Sequence, residues 1–157
     1  MDSKIQNGDS VRPLLEKIKS EKKTIVFTNG CFDILHPGHV YYLNHAKNMG
    51  DCLVVGLNTD ASVKRIKGPK RPLVCEKDRA CVLASLTSVD YVVFFDDDTP
   101  QKLIELVRPD ILVKGGDYRK NEIVGADTVE AYGGKVATID FLDGFSTTEM
   151  ISRIKAL

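Results

Sequence analysis

Two of the chain's three histidines, His36 and His39, lie three positions apart across Pro37 and Gly38 in the stretch "TNGCFDILHPGH". Imidazoles this close could hold a metal, could sit in a loop without a chemical task, or could donate hydrogen bonds to one phosphate. An apolar run precedes the pair and an amphipathic one follows, which puts it at a strand-to-helix turn. Gly30 and Gly38 allow the backbone close approach to a ligand there, and Pro37 fixes the turn. The first turn of the helix adds unpaired N–H groups and the positive end of the dipole, which suits an anion. As donors, His36 and His39 would neutralise charge that grows during phosphoryl or nucleotidyl transfer. The metal reading would use Cys31, His36 and His39 as ligands. It ranks below phosphate, because no fourth ligand is apparent and His45 lies two turns further along.

The elements that must position this pair alternate along the chain. Apolar runs predict strands at 24–27 ("TIVF"), 52–58 ("CLVVGLN"), 91–95 ("YVVFF"), 111–115 ("ILVKG") and 135–139 ("KVATI"). Between them, Val40, Leu43 and Ala46 mark a helix over 38–48 that Gly50 ends, and further helices are expected at 76–87 and near 122–131. Thr99 should cap a helix with Pro100 in its first position and Leu103, Ile104 and Val107 inward. Ser146 or Thr147 should cap a last helix with Met150, Ile151, Ile154 and Leu157 on one face. Val11, Leu14, Leu15 and Ile18 give a short helix near the start. Near-continuous apolar strands separated by helices mean a parallel sheet covered on both faces. Ligands then bind beyond the carboxyl ends of the strands, so the informative loops are 28–38, 58–72, 96–99 and 115–121. The second of these carries five cations in "KRIKGPKR" (64–71), which could equally be a solvated loop. Asp96, Asp97 and Asp98 are as readily dipole partners of a helix as magnesium ligands, and no residue is assigned to a metal.

Composition bounds the function. The 157 residues fit one domain (1–157, with 1–23 as an N-terminal helical extension), at 43% apolar and 28% charged. Lys+Arg and Asp+Glu balance at 22 each, which removes any whole-molecule attraction to nucleic acid or to an acidic membrane. Cys31, Cys52, Cys75 and Cys81 form no C-x-x-C pair and read as thiols in a reducing compartment. With a polar start and no run near ~20 apolar residues, the chain reads as cytoplasmic and not membrane-spanning.

With "CFD" before it and a strand behind it, "HPGH" resembles the H-x-G-H signature of the nucleotidyltransferases. Residues 24–157, from "GLNTDASVKRIKGPKRPLVCEKDRACVLASLTSVDYVVFFDDDTPQKLIELVRPDILVKGGDYRKNEIVG" to "DGFSTTEMI", resemble the adenylyltransferase domain family that makes ADP-heptose. The resemblance implies an α/β, Rossmann-like, doubly wound five-stranded parallel sheet of order 3-2-1-4-5, and a homodimer or higher homo-oligomer. It implies His36, His39 and Lys64 in catalysis. Thr28, Phe32, Asp33, Gly38, Lys67, Arg79, Gly115, Gly116, Asp117, Ser146 and Thr147 would bind the nucleotide. Substrates would be ATP, with Mg²⁺, and D-glycero-β-D-manno-heptose 1-phosphate. A sugar kinase would be on another chain, with neither nucleic acid nor membrane as partner. Gly115-Gly116 could also be a plain turn, and Ser146-Thr147-Thr148 a plain helix cap. Relatives that use CTP and glycerol 3-phosphate carry Arg-Thr-Glu-Gly before S-T-T, where this chain has Phe141-Leu142-Asp143-Gly144. The alternatives are such a cytidylyltransferase, or a module that binds a nucleotide or a metal without turnover.

Overall fold

In the computed structural model, residues 2–116 and 122–157 are described. Six strands form one parallel sheet: β1 (Ile5–Gln6), β2 (Ile25–Gly30), β3 (Cys52–Asn58), β4 (Tyr91–Phe95), β5 (Ile111–Gly115) and β6 (Lys135–Ile139). Their order is β1-β4-β3-β2-β5-β6. This corrects the expected five strands in order 3-2-1-4-5. The five apolar runs keep that relative order, and β1 adds an edge strand outside β4, with Ile5 opposite Val92. A two-residue strand gives no apolar run to read. The segment 1–23 is therefore not helical throughout: β1 precedes α1 (Gly8–Ser20). Asn7 caps that helix by accepting from the Asp9 and Ser10 N–H groups, while Ser10 Oγ accepts from the Asn7 N–H. Val11 and Leu15 of α1 join the core.

The other helices are α2 (Pro37–Lys47), α3 (Asp60–Lys67), α4 (Glu76–Ser85), α5 (Gln101–Val107), α6 (Ala126–Ala131) and α7 (Thr147–Lys155). A second correction concerns 58–72, expected as a loop. Thr59 caps α3 through a bond from the Ser62 N–H, and the cations project from a helix whose buried side holds only Ser62 and Val63. At α5 the cap position falls on Pro100 rather than Thr99.

The sheet separates two cores. On one face Phe27, Val54, Val93 and Leu112 pack with Val11, Leu15, Leu103 and Ile104. On the other, Val26, Val55, Val92 and Val113 pack with Tyr42, Leu43, Ala46 and Leu83. From β2 the chain winds outward through β3 to β4, then returns to β5 on the other side of β2. The direction of winding therefore reverses between β2 and β5, where such sheets open a crevice for ligand. Among the described residues no helix is long and apolar enough to cross a membrane.

Candidate active site

The crevice is built first by the β2–α2 connection. Phe32 and Ile34 take left-handed backbone conformations, with φ of 46° and 53°. Such φ values are uncommon for bulky residues and concentrate where a loop is held to a function. His36 stands at the N-cap of α2 and His39 in its first turn. Their rings stack with centroids 3.8 Å apart, and Phe32 lies 5.3 Å from His39. His39 Nδ1 accepts the His36 backbone N–H at 3.4 Å. That bond favours the tautomer with the proton on Nε2. Burial, followed by the neighbouring His36, lowers the His39 pKa to about 4, and burial lowers His36 as well. Both are therefore neutral donors at physiological pH. Gly38 suits this packing, because a Cβ there would press on the His36 ring at 3.0 Å and on Phe145 at 3.2 Å. Among the described residues no three or more His, Cys, Asp or Glu side chains gather to hold a metal. The histidines stack on one another instead of converging with Cys31.

Several expected ligand residues turn inward. Asp33, 2% exposed, accepts from Arg71 Nε at 2.7 Å and from the Leu73 and Val74 N–H groups, both at 2.9 Å. Burial pushes its carboxyl up, but the Leu73 and Val74 N–H groups and then Arg71 outweigh that and leave it below the usual carboxylate range. Its backbone oxygen accepts from Thr147 Oγ1 at 2.9 Å. Asp33 thus ties the histidine loop to the segment after α3 and to the start of α7. Arg79, with a side chain 1% exposed, spends four of its five N–H groups on the Val74, Cys31 and Asn58 carbonyls and the Asp60 carboxylate. It knits the ends of β2 and β3 to α3 and α4, so its guanidinium is committed to protein. Thr28 is fully buried, with Oγ1 2.6 Å from the Tyr42 hydroxyl. Because Tyr42 donates to the Val113 carbonyl at 3.2 Å, Thr28 is the donor to Tyr42. The chain of bonds locks α2 to β2 and β5 beneath the histidines.

The exposed cations lie along the rim. Lys64 and Lys67 are three apart on α3, hence on one side of it, and both are exposed. Burial raises the Cys31 pKa, and Lys67, Arg79 and Arg71 pull it back, which puts these charges around the β2–α2 loop. Ser146 caps α7 by accepting the Glu149 N–H at 3.0 Å. The glycine turn after β5 is covered by an aromatic ring: a Cβ on Gly115 or on Gly116 would come within 2.6 Å of Phe141. Gly116 also has φ of +90°, which a side chain would strain. Phe141 itself is 67% exposed. Asp117 lies outside the described residues. Composition and spacing did not single out Asn29, Lys114 or Phe141, and pointed to Arg71 only as one of the five cations of 64–71. For Lys114 a signal existed, a lone charge closing the apolar run "ILVKG" at a strand's carboxyl end.

A Rossmann-like sheet with an H-x-G-H turn at its switch point defines a nucleotide-handling protein. Residues 27–153 match the cytidylyltransferase-like family, and the chain belongs to that family of nucleotidyltransferases. Over 153 residues it is 59% identical to the bifunctional protein HldE of Syntrophotalea carbinolica and 57% identical to that of Geobacter metallireducens. Each match covers 98% of this chain and 31% of the relative, so the chain spans about a third of the length of these proteins. Among solved structures it is similar to the lipopolysaccharide core biosynthesis protein of Thermoplasma volcanium. That match has a TM-score of 0.66 and 32% identity, and covers 77% of this chain and 99% of that one. Pantoate-beta-alanine ligase of Francisella tularensis shares the fold at a TM-score of 0.63 and 15% identity, over 98% of this chain and 78% of that one.

Proposed function

We propose that this chain transfers AMP from ATP to D-glycero-β-D-manno-heptose 1-phosphate, releasing pyrophosphate and ADP-heptose. The observation that carries the chemistry is the stacked, neutral His36–His39 pair at the N-terminus of α2. The sugar assignment is supported by the motifs quoted from the sequence and by the identity to HldE. A phosphate oxygen of the acceptor attacks the α-phosphorus of ATP in line. A bond forms between them as the bond from α-phosphorus to the bridging oxygen breaks, and pyrophosphate carries off the electron pair. The acceptor is already ionised, so no general base is required. His39 Nε2 and His36 donate to the phosphate where negative charge grows, Lys64 and Lys67 counter the charge of the leaving group, and the α2 N-terminus adds the Gly38 N–H. Pro37 has none, and those of His39 and Val40 bond the His36 carbonyl. Positioning and charge stabilisation then supply the rate.

Mg²⁺ would accompany the triphosphate and neutralise part of its charge. Among the described acids at the strand ends, Asp96 and Asp98 pair with Arg65, Asp97 with Lys102, Asp33 with Arg71 and Asp60 with Arg79, so none is assigned to it as a ligand. No step is assigned to a protein-bound metal. The same reading takes 1–157 as one catalytic domain, working in the cytoplasm as a homodimer or higher oligomer, with a sugar kinase supplying the acceptor. It is tested by pyrophosphate release with ATP, CTP, GTP and UTP. With the heptose 1-phosphate, ATP should be preferred at least tenfold, since one well-made polar contact to the base discriminates by ~1–3 kcal/mol. Efficient turnover of CTP with glycerol 3-phosphate, and none of ATP with the heptose, would overturn the assignment.

A further inference from the structure

The side chain of Lys114 closes β5 at the edge of the crevice and donates to Asn29 Oδ1 on β2. Phe27 is opposite Leu112 in the parallel register, so two residues further on Asn29 stands opposite Lys114. Both follow the parity of Phe27 and Leu112, whose face of the sheet packs against α1 and α5. A Cβ on Gly56 would touch Asn29 Cβ together with Phe27 and Leu103, which places Asn29 on that face. The helix that carries the histidines packs on the opposite face. Two donor sets therefore flank the carboxyl end of β2, imidazoles on one side and an ammonium on the other.

Among the described residues Lys114 is short of negative charge: it forms no ion pair, and its recorded neighbours are the neutral Asn29 amide and the Cys31 thiol. Among the described residues this partly buried cation has only neutral company, which is costly and is relieved by an anion. Burial lowers its pKa to about 8 against an opposing pull from Cys31, so it remains mostly charged at neutral pH. The reaction proposed above joins two phosphates, and each needs its own anchor. The α2 terminus, both histidines and Lys67 suit the triphosphate. In-line displacement requires the nucleophile to enter opposite the leaving group. We propose that the Asn29–Lys114 pair binds the phosphate of the acceptor and makes the site specific for a phosphomonoester; this rests on the nucleotidyl-transfer reading. Lys114 supplies the countercharge and Asn29 aims it.

The test reads binding, not turnover. Wild type and Lys114→Met, each saturated with α,β-methylene-ATP, are titrated calorimetrically with the heptose 1-phosphate and with inorganic phosphate. ATP binding is titrated separately. Loss of one charge-assisted contact should weaken both phosphomonoester ligands at least tenfold and change the ATP Kd by less than about threefold. In wild-type protein, the heptose 1-phosphate should also slow acylation of Lys114, followed by mass spectrometry, while α,β-methylene-ATP should not. Unchanged acceptor binding in the variant, or protection of Lys114 by the nucleotide alone, would overturn the proposal. So would a wild type that binds no phosphomonoester. A wild type that binds the acceptor through Lys114 yet transfers no AMP would refute the activity and leave this anchor standing.

Discussion

Replacing Lys114 by Met should change the stability of the protein in a pH-dependent way, because the folded state pairs this cation with no carboxylate among the described residues. The folded pKa is about 8, against 10.5 for the ordinary side chain, so the unfolded chain binds more protons across that window. Stability gained from this group therefore rises with pH between about 8 and 10.5, and below 8 the cost of the buried charge is fully present. At about 1.4 kcal/mol for each tenfold, the gap amounts to ~3 kcal/mol in total, of which ~2 kcal/mol is recovered between pH 7 and pH 9.5. The methionine variant lacks this term. Other titrating groups largely cancel in the comparison, Cys31 being the one coupled to Lys114. Leaving Asn29 Oδ1 without its donor subtracts a roughly constant ~1–3 kcal/mol from the variant at every pH. The informative quantity is thus the change in the stability difference with pH, measured by urea denaturation at pH 7 and pH 9.5. The variant should be favoured by ~2 kcal/mol more at pH 7 than at pH 9.5. A difference independent of pH would refute the reasoning.

His39→Ala should lower turnover by ~100-fold or more, the scale of losing one transition-state donor, with the KM for ATP within about threefold; steady-state kinetics decide, and near-wild-type turnover would remove His39 from catalysis. Asp33→Ala should cost ~2–4 kcal/mol in urea denaturation, since it orphans the Leu73 and Val74 N–H groups and frees Arg71, itself partly exposed. The folded pKa of Asp33 is depressed, so its contribution is present above the ordinary carboxylate range and lost as pH falls through the folded value. Asp33→Asn should accordingly flatten the acid limb of the stability profile below pH ~4, and an unchanged limb would count against the clamp.

Strands were legible wherever burial on both faces forces an unbroken apolar run, as in Cys52–Asn58, buried at all seven positions. Where little is buried, the pattern falls silent. β1 offers two residues, and α3 exposes Lys64, Arg65, Ile66 and Lys67, so its sequence reads as a charged loop. The histidine turn was legible because residue type, spacing and the strand-to-helix junction agree. Side-chain direction was not. Asp33, Arg79 and Thr28 sit where the motif puts them, yet their polar atoms serve the protein: a carboxylate filled by Arg71, Leu73 and Val74, a guanidinium closed by Asp60 and three carbonyls, a hydroxyl held by Tyr42. Spacing fixes which strand end a residue occupies; whether it faces ligand or protein depends on partners up to 114 positions away, as between Asp33 and Thr147.

This division gives the site its logic. On the proposed reading, a chain with no net charge concentrates positive potential locally to bind two phosphorylated substrates. If His36 and His39 were cations stacked 3.8 Å apart they would repel each other, and burial would add to that cost. Their depressed pKa values resolve the conflict by making them neutral donors, oriented by α2 and by the His36 N–H. Charge comes instead from lysines: Lys64 and Lys67 on α3, and Lys114 across β2. Asp33 and Arg79 hold the loops that carry these groups at fixed distances, so little reorganisation is needed when charge develops. On that reading the neutral, rigid donors favour the transition state by direction, and the lysines favour it by field.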